Sequence, residues 1–382
     1  MTRRFAVARR RQPRLDVCFY VPWIGPLLAP GADLPAGGAE TQIFLLSQAL
    51  AAAGLRVGIV SLELPGGGLP NRVGGVEIIV QRGARATLPV LRTLEYLGSL
   101  ITTVGRVNAD VVVQRAAGTT TGVVGCITRL RRRRFLYSSA NVIDFSYAEL
   151  ESRRRNVWLY EQGVRMAADV VVQTDEQAVM CRRRFGRDAI VINSLAEPAV
   201  PATSEPKAFL WVGRLTHYKR PEAFVVLARA LPDARFRMVG VPCGHEGEQI
   251  AAQLRAETAE LANFELLDPR PRRDLMPLVE RAVAMVNTAD YEGMPNIFLE
   301  AWSRGIPALA LSHDPGGVVE RHGLGHFAAG DPQAFARLAG GLWATRSERG
   351  ELSERCLRYI ADEHAPAAVA QQWMRVLSKA PH

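Results

Sequence analysis

Tyr291-Glu292-Gly293-Met294-Pro295-Asn296-Ile297-Phe298-Leu299-Glu300 sets two carboxylates around a Gly-x-Pro turn that opens a helix. Upstream, the apolar run Ala282–Val286 reads as a buried parallel strand. Downstream, the helix continues through Ala301-Trp302-Ser303-Arg304 to Gly305, a good terminating residue, and Ile306–Leu311 begins the next strand. Glu292 therefore falls in the loop at a strand's C-terminal end, where open α/β sheets bind ligands. Pro295 fits the first helical position, leaving the N–H groups of Asn296 and Ile297 at the helix start to meet an anion. Gly293, Met294, Pro295, Asn296, Ile297 and Glu300 are the expected substrate contacts here. The stretch suits a phosphorylated sugar, with amides for the anion and carboxylates for hydroxyl groups.

A chain of 382 residues exceeds one ordinary core and suits two α/β domains. With 48% hydrophobic and 22% charged residues it is globular rather than disordered. Its five cysteines are scattered and form no C-x-x-C pair, which points to a reduced, cytoplasmic protein without a cysteine zinc site. The net charge of +9 is uneven: residues 1–200 hold 26 Arg and no Lys against 16 acids, and residues 201–382 hold 21 basic against 22 acidic residues. Arginine-favouring codons account for the arginine usage but not for its placement. A basic first half points to an anionic surface or ligand: membrane phospholipid, a lipid diphosphate or nucleic acid. Aromatics are not interleaved with the clusters Arg129, Arg131–Arg134 and Arg153–Arg155, so no nucleic-acid partner is expected. Those clusters also read simply as solvated helix ends.

Residues 1–14 read as a disordered basic tail before the first strand, although a targeting signal is the competing reading. Strands are expected at Leu15–Val21, Arg56–Leu62, Val76–Val80, Val111–Gln114, Arg134–Ser138, Val170–Gln173 and Ile190–Ile192. Helices are expected at Ala39–Ala53, Val90–Val104, Gly122–Leu130, Glu149–Ala168 and Asp175–Phe185. The Pro- and Ala-rich stretch 196–206 reads as a linker between domains 15–195 and 207–365. The second series opens with strand Ala208–Val212 and helix Pro221–Leu231. Strands Phe236–Val239, Phe264–Leu267, Ala282–Val286 and Ile306–Leu311 follow, with helices 332–345 and 367–378 closing the chain. The alternation predicts two doubly wound parallel sheets.

In Val212-Gly213-Arg214-Leu215-Thr216-His217-Tyr218-Lys219, Gly213 permits close backbone approach, and Arg214 and Lys219 converge on one diphosphate. A fixed ammonium suits a leaving diphosphate, where charge appears as the glycosidic bond breaks. Gly37 and Gly38 open the first long helix and form a weaker anion cradle. His313 beside Asp314 reads as a solvated loop pair. No H-E-x-x-H, loop D-x-D or His/Cys cluster indicates a metal, and neither G-x-G-x-x-G nor a P-loop is present.

Taken together, Gly37-Gly38-Ala39-Glu40, Val170–Asp175, Val212-Gly213-Arg214-Leu215 with Lys219, and Glu292-x7-Glu300 with Gly305-x-Pro307 resemble the family 4 retaining glycosyltransferases of GT-B fold. The resemblance covers nearly the whole chain. It implies two Rossmann-like domains facing across a cleft, with a C-terminal helix near 366–380 crossing back to the first. It further implies that Arg214 and Lys219 hold the diphosphate of a nucleoside-diphosphate sugar. Glu300 would hold the ribose, and Glu292 with the 296–297 amides the sugar. Gly37 and Gly38 would close over the diphosphate or admit the acceptor. No metal or other cofactor is implied. Acceptors would be a glycan, a lipid-linked species or a small molecule, with contact at the inner face of the membrane. One departure stands out: where the family often has a first-domain histidine near the sugar, this chain has Gln114-Arg115-Ala116. A nucleotide-sugar epimerase of the same plan and a non-catalytic basic binding protein are the competing readings.

Overall fold

The computed structural model describes residues 14–29, 37–147, 151, 153–197 and 199–379. The basic tail through residue 13 and part of the loop before Gly37 lie outside the described residues. Two sheets organise the chain. The first runs β3 (Arg72–Val73), β4 (Val76–Gln81), β2 (Val57–Leu62), β1 (Leu15–Tyr20), β5 (Ala109–Arg115), β6 (Arg134–Ser138), β7 (Asp169–Val172) and β8 (Ile190–Val191) across its width. Only the β3–β4 hairpin is antiparallel. The second runs β11 (Phe264–Leu267), β10 (Phe236–Pro242), β9 (Ala208–Leu215), β12 (Ala282–Asn287), β13 (Ala308–Ala310) and β14 (Gly325–Phe327), all parallel.

In each sheet the winding reverses once, between β1 and β5 and between β9 and β12. Loops leaving the two strands beside such a reversal diverge and open a crevice at the strands' C-terminal ends. The helix Gly38–Ala52 follows β1 and Arg115 ends β5; Lys219 and Glu292 follow β9 and β12. The central strands are continuous apolar runs because helices cover both faces, as with the buried residues Ala282–Val286 of β12.

The C-terminal helix Pro366–Leu377 buries Val369, Ala370, Trp373 and Val376 in the first domain's core, although it follows the second domain in sequence. Trp373 meets Phe19 of β1 edge-on, with centroids 6.3 Å apart. Arg134, expected within a basic surface cluster, is buried instead. Its guanidinium donates to the carbonyls of Leu377 (2.9 Å), Lys379 (2.8 Å) and Val376 (3.1 Å), closing that helix's end, and pairs with Asp169. Replacing Trp373 by Ala is expected to cost about 3–5 kcal/mol in chemical denaturation. A variant as stable as the parent would show that the crossing helix is not part of the first core.

Several boundaries differ from expectation. The helix expected over 149–168 is Arg154–Met166, preceded by a 3-10 turn Val142–Phe145 that Asn141 caps through Ile143 N–H. Residues 149, 150 and 152 of that span lie outside the described residues. β14 is only three residues long, too short for a periodic signal. The helix Gly350–Glu363 also went unread, although Leu352, Cys356, Tyr359 and Ile360 recur at helical spacing. Pro295 caps the 296–302 helix rather than sitting inside it, because its ψ of 122° is still extended.

Candidate functional site

Lys219 is placed by the second domain's own hydrogen bonds. Trp211 Nε1 of β9 donates to Thr288 Oγ1 (3.0 Å), and that hydroxyl donates to the Lys219 carbonyl (2.6 Å). Asp290 N–H donates to the Tyr218 carbonyl at 2.9 Å, and the Tyr218 and Tyr291 rings stack at 4.9 Å. The next residue, Arg220, adopts a left-handed backbone (φ 47°) before Pro221 starts a helix. Its guanidinium reaches Asp290 (3.3 Å) and Ser312 Oγ (3.2 Å). The two loops at the β9/β12 reversal are thereby stitched into one surface.

On that surface Lys219 Nζ pairs directly with Glu292 Oε1, both side chains being largely buried. Arg214 donates a long bond to Tyr218 OH (3.4 Å) and lies close enough to repel the ammonium. Burial, and after it Arg214, push the Lys219 pKa down to about 7. His313, expected in solvent, is partly buried within the field of Lys219. Its Nε2 has no partner among the described residues, and burial followed by Lys219 lowers its pKa to about 4, so the ring is neutral at physiological pH.

Glu300 sits elsewhere. It pairs with Arg272 at 2.6 Å, and Arg272 also reaches Glu197 at 2.8 Å. Burial raises the Glu300 pKa, with Arg272 and Arg304 opposing. A cavity lined by Gln42, Leu195, Arg272, Asn296, Glu300 and Arg304 opens here. Arg214, Lys219 and Glu292 do not line it. The four expected residues therefore form two neighbouring clusters joined by segment 292–300, rather than one ring of side chains. Arg272, missed from the sequence, opens the helix Arg272–Glu280 in an arginine-rich stretch, with no signal except its place after β11.

The two domains meet through the same segment. Gly293 packs against the first domain so closely that a Cβ there would lie 2.5 Å from the Ala140 carbonyl oxygen. Met294 N–H donates to Gln173 Oε1 (3.3 Å), and Gln173 Nε2 donates to the carbonyls of Ser139 (3.1 Å) and Ala140 (3.0 Å). Asn296 Nδ2 donates to the Gly38 carbonyl (2.8 Å), while its Oδ1 accepts from Gln42 Nε2 (3.1 Å). Gly38 is thus at the domain contact, and Gly37 caps its helix with Glu40 folded back over it. Phe298 and Leu299 donate the first helical bonds to the Pro295 carbonyl, so the Asn296 and Ile297 amides stand outside the helix's own ladder. Gly213 lies at the far end of β9 beside the Trp211 ring. Among the described residues no three His, Cys, Asp or Glu side chains converge as a metal site requires.

Residues 206–344 match the family model described as glycosyl transferases group 1, and residues 37–196 match the glycosyl transferase 4-like domain. Over 149 residues the chain is 22% identical to the glycosyltransferase 1 domain-containing protein 1 of Xenopus tropicalis; the match spans 39% of this chain and 39% of that protein. Among solved structures, the sucrose-phosphate synthase of Thermosynechococcus elongatus superposes with a TM-score of 0.75 at 16% identity, over 94% of this chain and 97% of that one. Anabaena HepE, solved with UDP and glucose, gives 0.75 at 15% identity, over 96% and 100%. These likenesses establish the GT-B fold.

Proposed function

Because the chain belongs to the group 1 glycosyltransferases with a 4-like first domain, we propose that it moves a sugar, with retention, from a nucleoside-diphosphate sugar to a glycan, lipid-linked or small-molecule acceptor. The observation carrying this is the Lys219–Glu292 pair at the β9/β12 reversal, set where Gly293 brings the first domain against it. Lys219, with Arg214 beside it, supplies positive charge for a departing diphosphate. Glu292 holds the ammonium in place and, with the 293–297 backbone, faces the sugar. Glu300 and Arg272 provide an acceptor and a donor for the nucleoside. No resident metal or cofactor enters this reading. Neither an epimerase nor a non-catalytic basic protein finds support among the relatives. Thermal-shift screening against UDP-, GDP-, ADP- and dTDP-sugars tests the reading: at least one raises the melting temperature, and silence from all four classes would sink it.

Diphosphate binding is expected to be accompanied by proton uptake near pH 7, because the anion favours the charged form of a lysine whose pKa burial has lowered. The sign follows: affinity weakens as pH rises through the free enzyme's lysine pKa. Calorimetry in buffers of different ionisation enthalpy reads the uptake. An uptake that persists unchanged in Lys219→Ala would assign the proton elsewhere.

The first domain also favours contact with an anionic membrane surface. The helix Pro89–Arg106 and the residue before it expose Leu88 (61%), Val90 (71%), Leu91 (51%), Leu94 (60%) and Ile101 (51%). Exposed Arg82, Arg85, Arg92 and Arg106 flank this apolar face. Each arginine near a phospholipid surface contributes about 1 kcal/mol. Among the described residues no helix is long and apolar enough to cross a membrane. Sedimentation with phosphatidylglycerol vesicles is expected, weakened by salt and by Leu91→Asp/Leu94→Asp. Equal sedimentation with neutral vesicles would count against it.

A further inference from the structure

Arg115 ends β5 at the first sheet's reversal, and β5 is the counterpart of β12, the strand that leads to Glu292 in the second sheet. Its neighbour in β6, Ser138, leads into the Ser139–Asn141 turn on which Gly293 rests. The guanidinium also lies within the field of Glu40, in the first turn of the helix whose Gly38 carbonyl accepts from Asn296. Arg115 is therefore on the first-domain wall of the cleft, bracketed by the two points where the domains touch.

Its surroundings leave a cation underused. Among the described residues the guanidinium donates one long hydrogen bond, from Nη1 to Ser138 Oγ at 3.4 Å, and Nε is enclosed with no partner. Desolvation pushes its pKa down to about 10, opposed by Asp144 and Glu40. Asp144 does not pair with it. That carboxylate is committed to neutral donors: Ala140 N–H at 2.7 Å, Ser139 Oγ at 3.0 Å and Ala117 N–H at 3.2 Å. The chain turns sharply after Arg115 as well: Ala116 has φ of 70°, an uncommon conformation for a residue with a Cβ. Enclosed donors without acceptors are costly, and costlier still on an ionised group. A strained turn that presents such a group beside a cleft is explained if a ligand supplies the missing acceptors.

We propose that Arg115 forms an anion site on the first-domain wall, taking a carboxylate or phosphate carried by the transferred sugar or by the acceptor. This rests on the second domain's holding the nucleoside diphosphate, since Arg214 and Lys219 then occupy the donor's own phosphates and leave Arg115 for a separate charge. An arginine fork suits either oxyanion, and one charge-assisted contact corresponds to about 10–100-fold in affinity.

Calorimetric titration tests this on the full chain. One arm compares the glucose and glucuronate forms of the nucleotide sugar found by screening. The other titrates glycerol 3-phosphate, as a headgroup phosphate, into the protein saturated with the matching nucleoside diphosphate. A preference of 10-fold or more for glucuronate, erased by Arg115→Gln and partly kept by Arg115→Lys, places the anion on the sugar. Equal binding of the two donors, with glycerol 3-phosphate binding lost in Arg115→Gln, places it on the acceptor. If Arg115→Gln does not fold, a 10-fold preference in the parent that weakens in Arg115→Lys still supports the site. If both donors bind alike and glycerol 3-phosphate binds parent and variants equally or not at all, the proposal falls. Should no nucleotide bind while glycerol 3-phosphate binding still depends on Arg115, the second-domain reading fails and the anion site stands.

Discussion

Lys219→Ala is expected to lower turnover by about 10²–10³-fold, the usual loss when one donor of transition-state charge is removed. The pair makes the result readable. Lys219 and Glu292 are both largely buried, so removing the lysine leaves a carboxylate with its partner gone, which costs about 3–5 kcal/mol at a buried pair. A slow variant that is also unstable would be ambiguous alone. Lys219→Ala/Glu292→Gln resolves this: neutralising both partners restores much of the stability and none of the turnover. If purified Lys219→Ala consumed donor at the parental rate, the lysine would have no part in the chemistry. The same result would leave the stitching of Trp211, Thr288 and Lys219 as a purely structural device.

The second large effect is expected from a single methyl group. In Gly293→Ala the new Cβ meets the Ala140 carbonyl oxygen at 2.5 Å, a backbone atom that cannot turn aside as a side chain would. Each domain keeps its own core, because Gly293 lies in the second domain's loop after β12, outside both cores. What changes is their approach: the domains are held apart by roughly 1 Å, a displacement that costs on the order of 10²-fold when reacting groups must be aligned. Turnover therefore falls by about that factor, while the melting temperature barely moves and nucleotide binding to the second domain survives. Steady-state kinetics beside calorimetry of the nucleoside diphosphate separates the two quantities. Loss of nucleotide binding along with turnover would show that Gly293 acts within the donor site rather than at the domain contact.

Much of the architecture was readable because its signals are local. The β12 run from Ala282 to Val286 is apolar throughout, as a strand covered on both faces must be. The helix Asp175–Phe185 is bounded by Thr174, whose hydroxyl accepts from Gln177 N–H, and by Gly186 in a left-handed conformation. Cap, stop and period all agree there. The glycine pair at 37–38 and the carboxylates at 292 and 300 were identifiable from spacing and turn chemistry. Other positions misled because exposure has no local signature. Arg134 reads as one more arginine in a basic run until the crossing helix is seen to end on it. His313 reads as a loop residue until Lys219 is found beside it.

By itself the sequence determined two parallel-sheet domains and which loops leave the C-terminal ends of their strands, because period, capping and turn residues act over a few neighbours. Only tertiary structure decided the partners across those loops: Lys219 with Glu292, Glu300 with Arg272, Gly293 against Ala140, and Arg115 Nε without an acceptor among the described residues. Those pairings join residues dozens to hundreds of positions apart. They depend on how strand order reverses in each sheet and on how closely two backbones approach, neither of which is carried by any short stretch of chain.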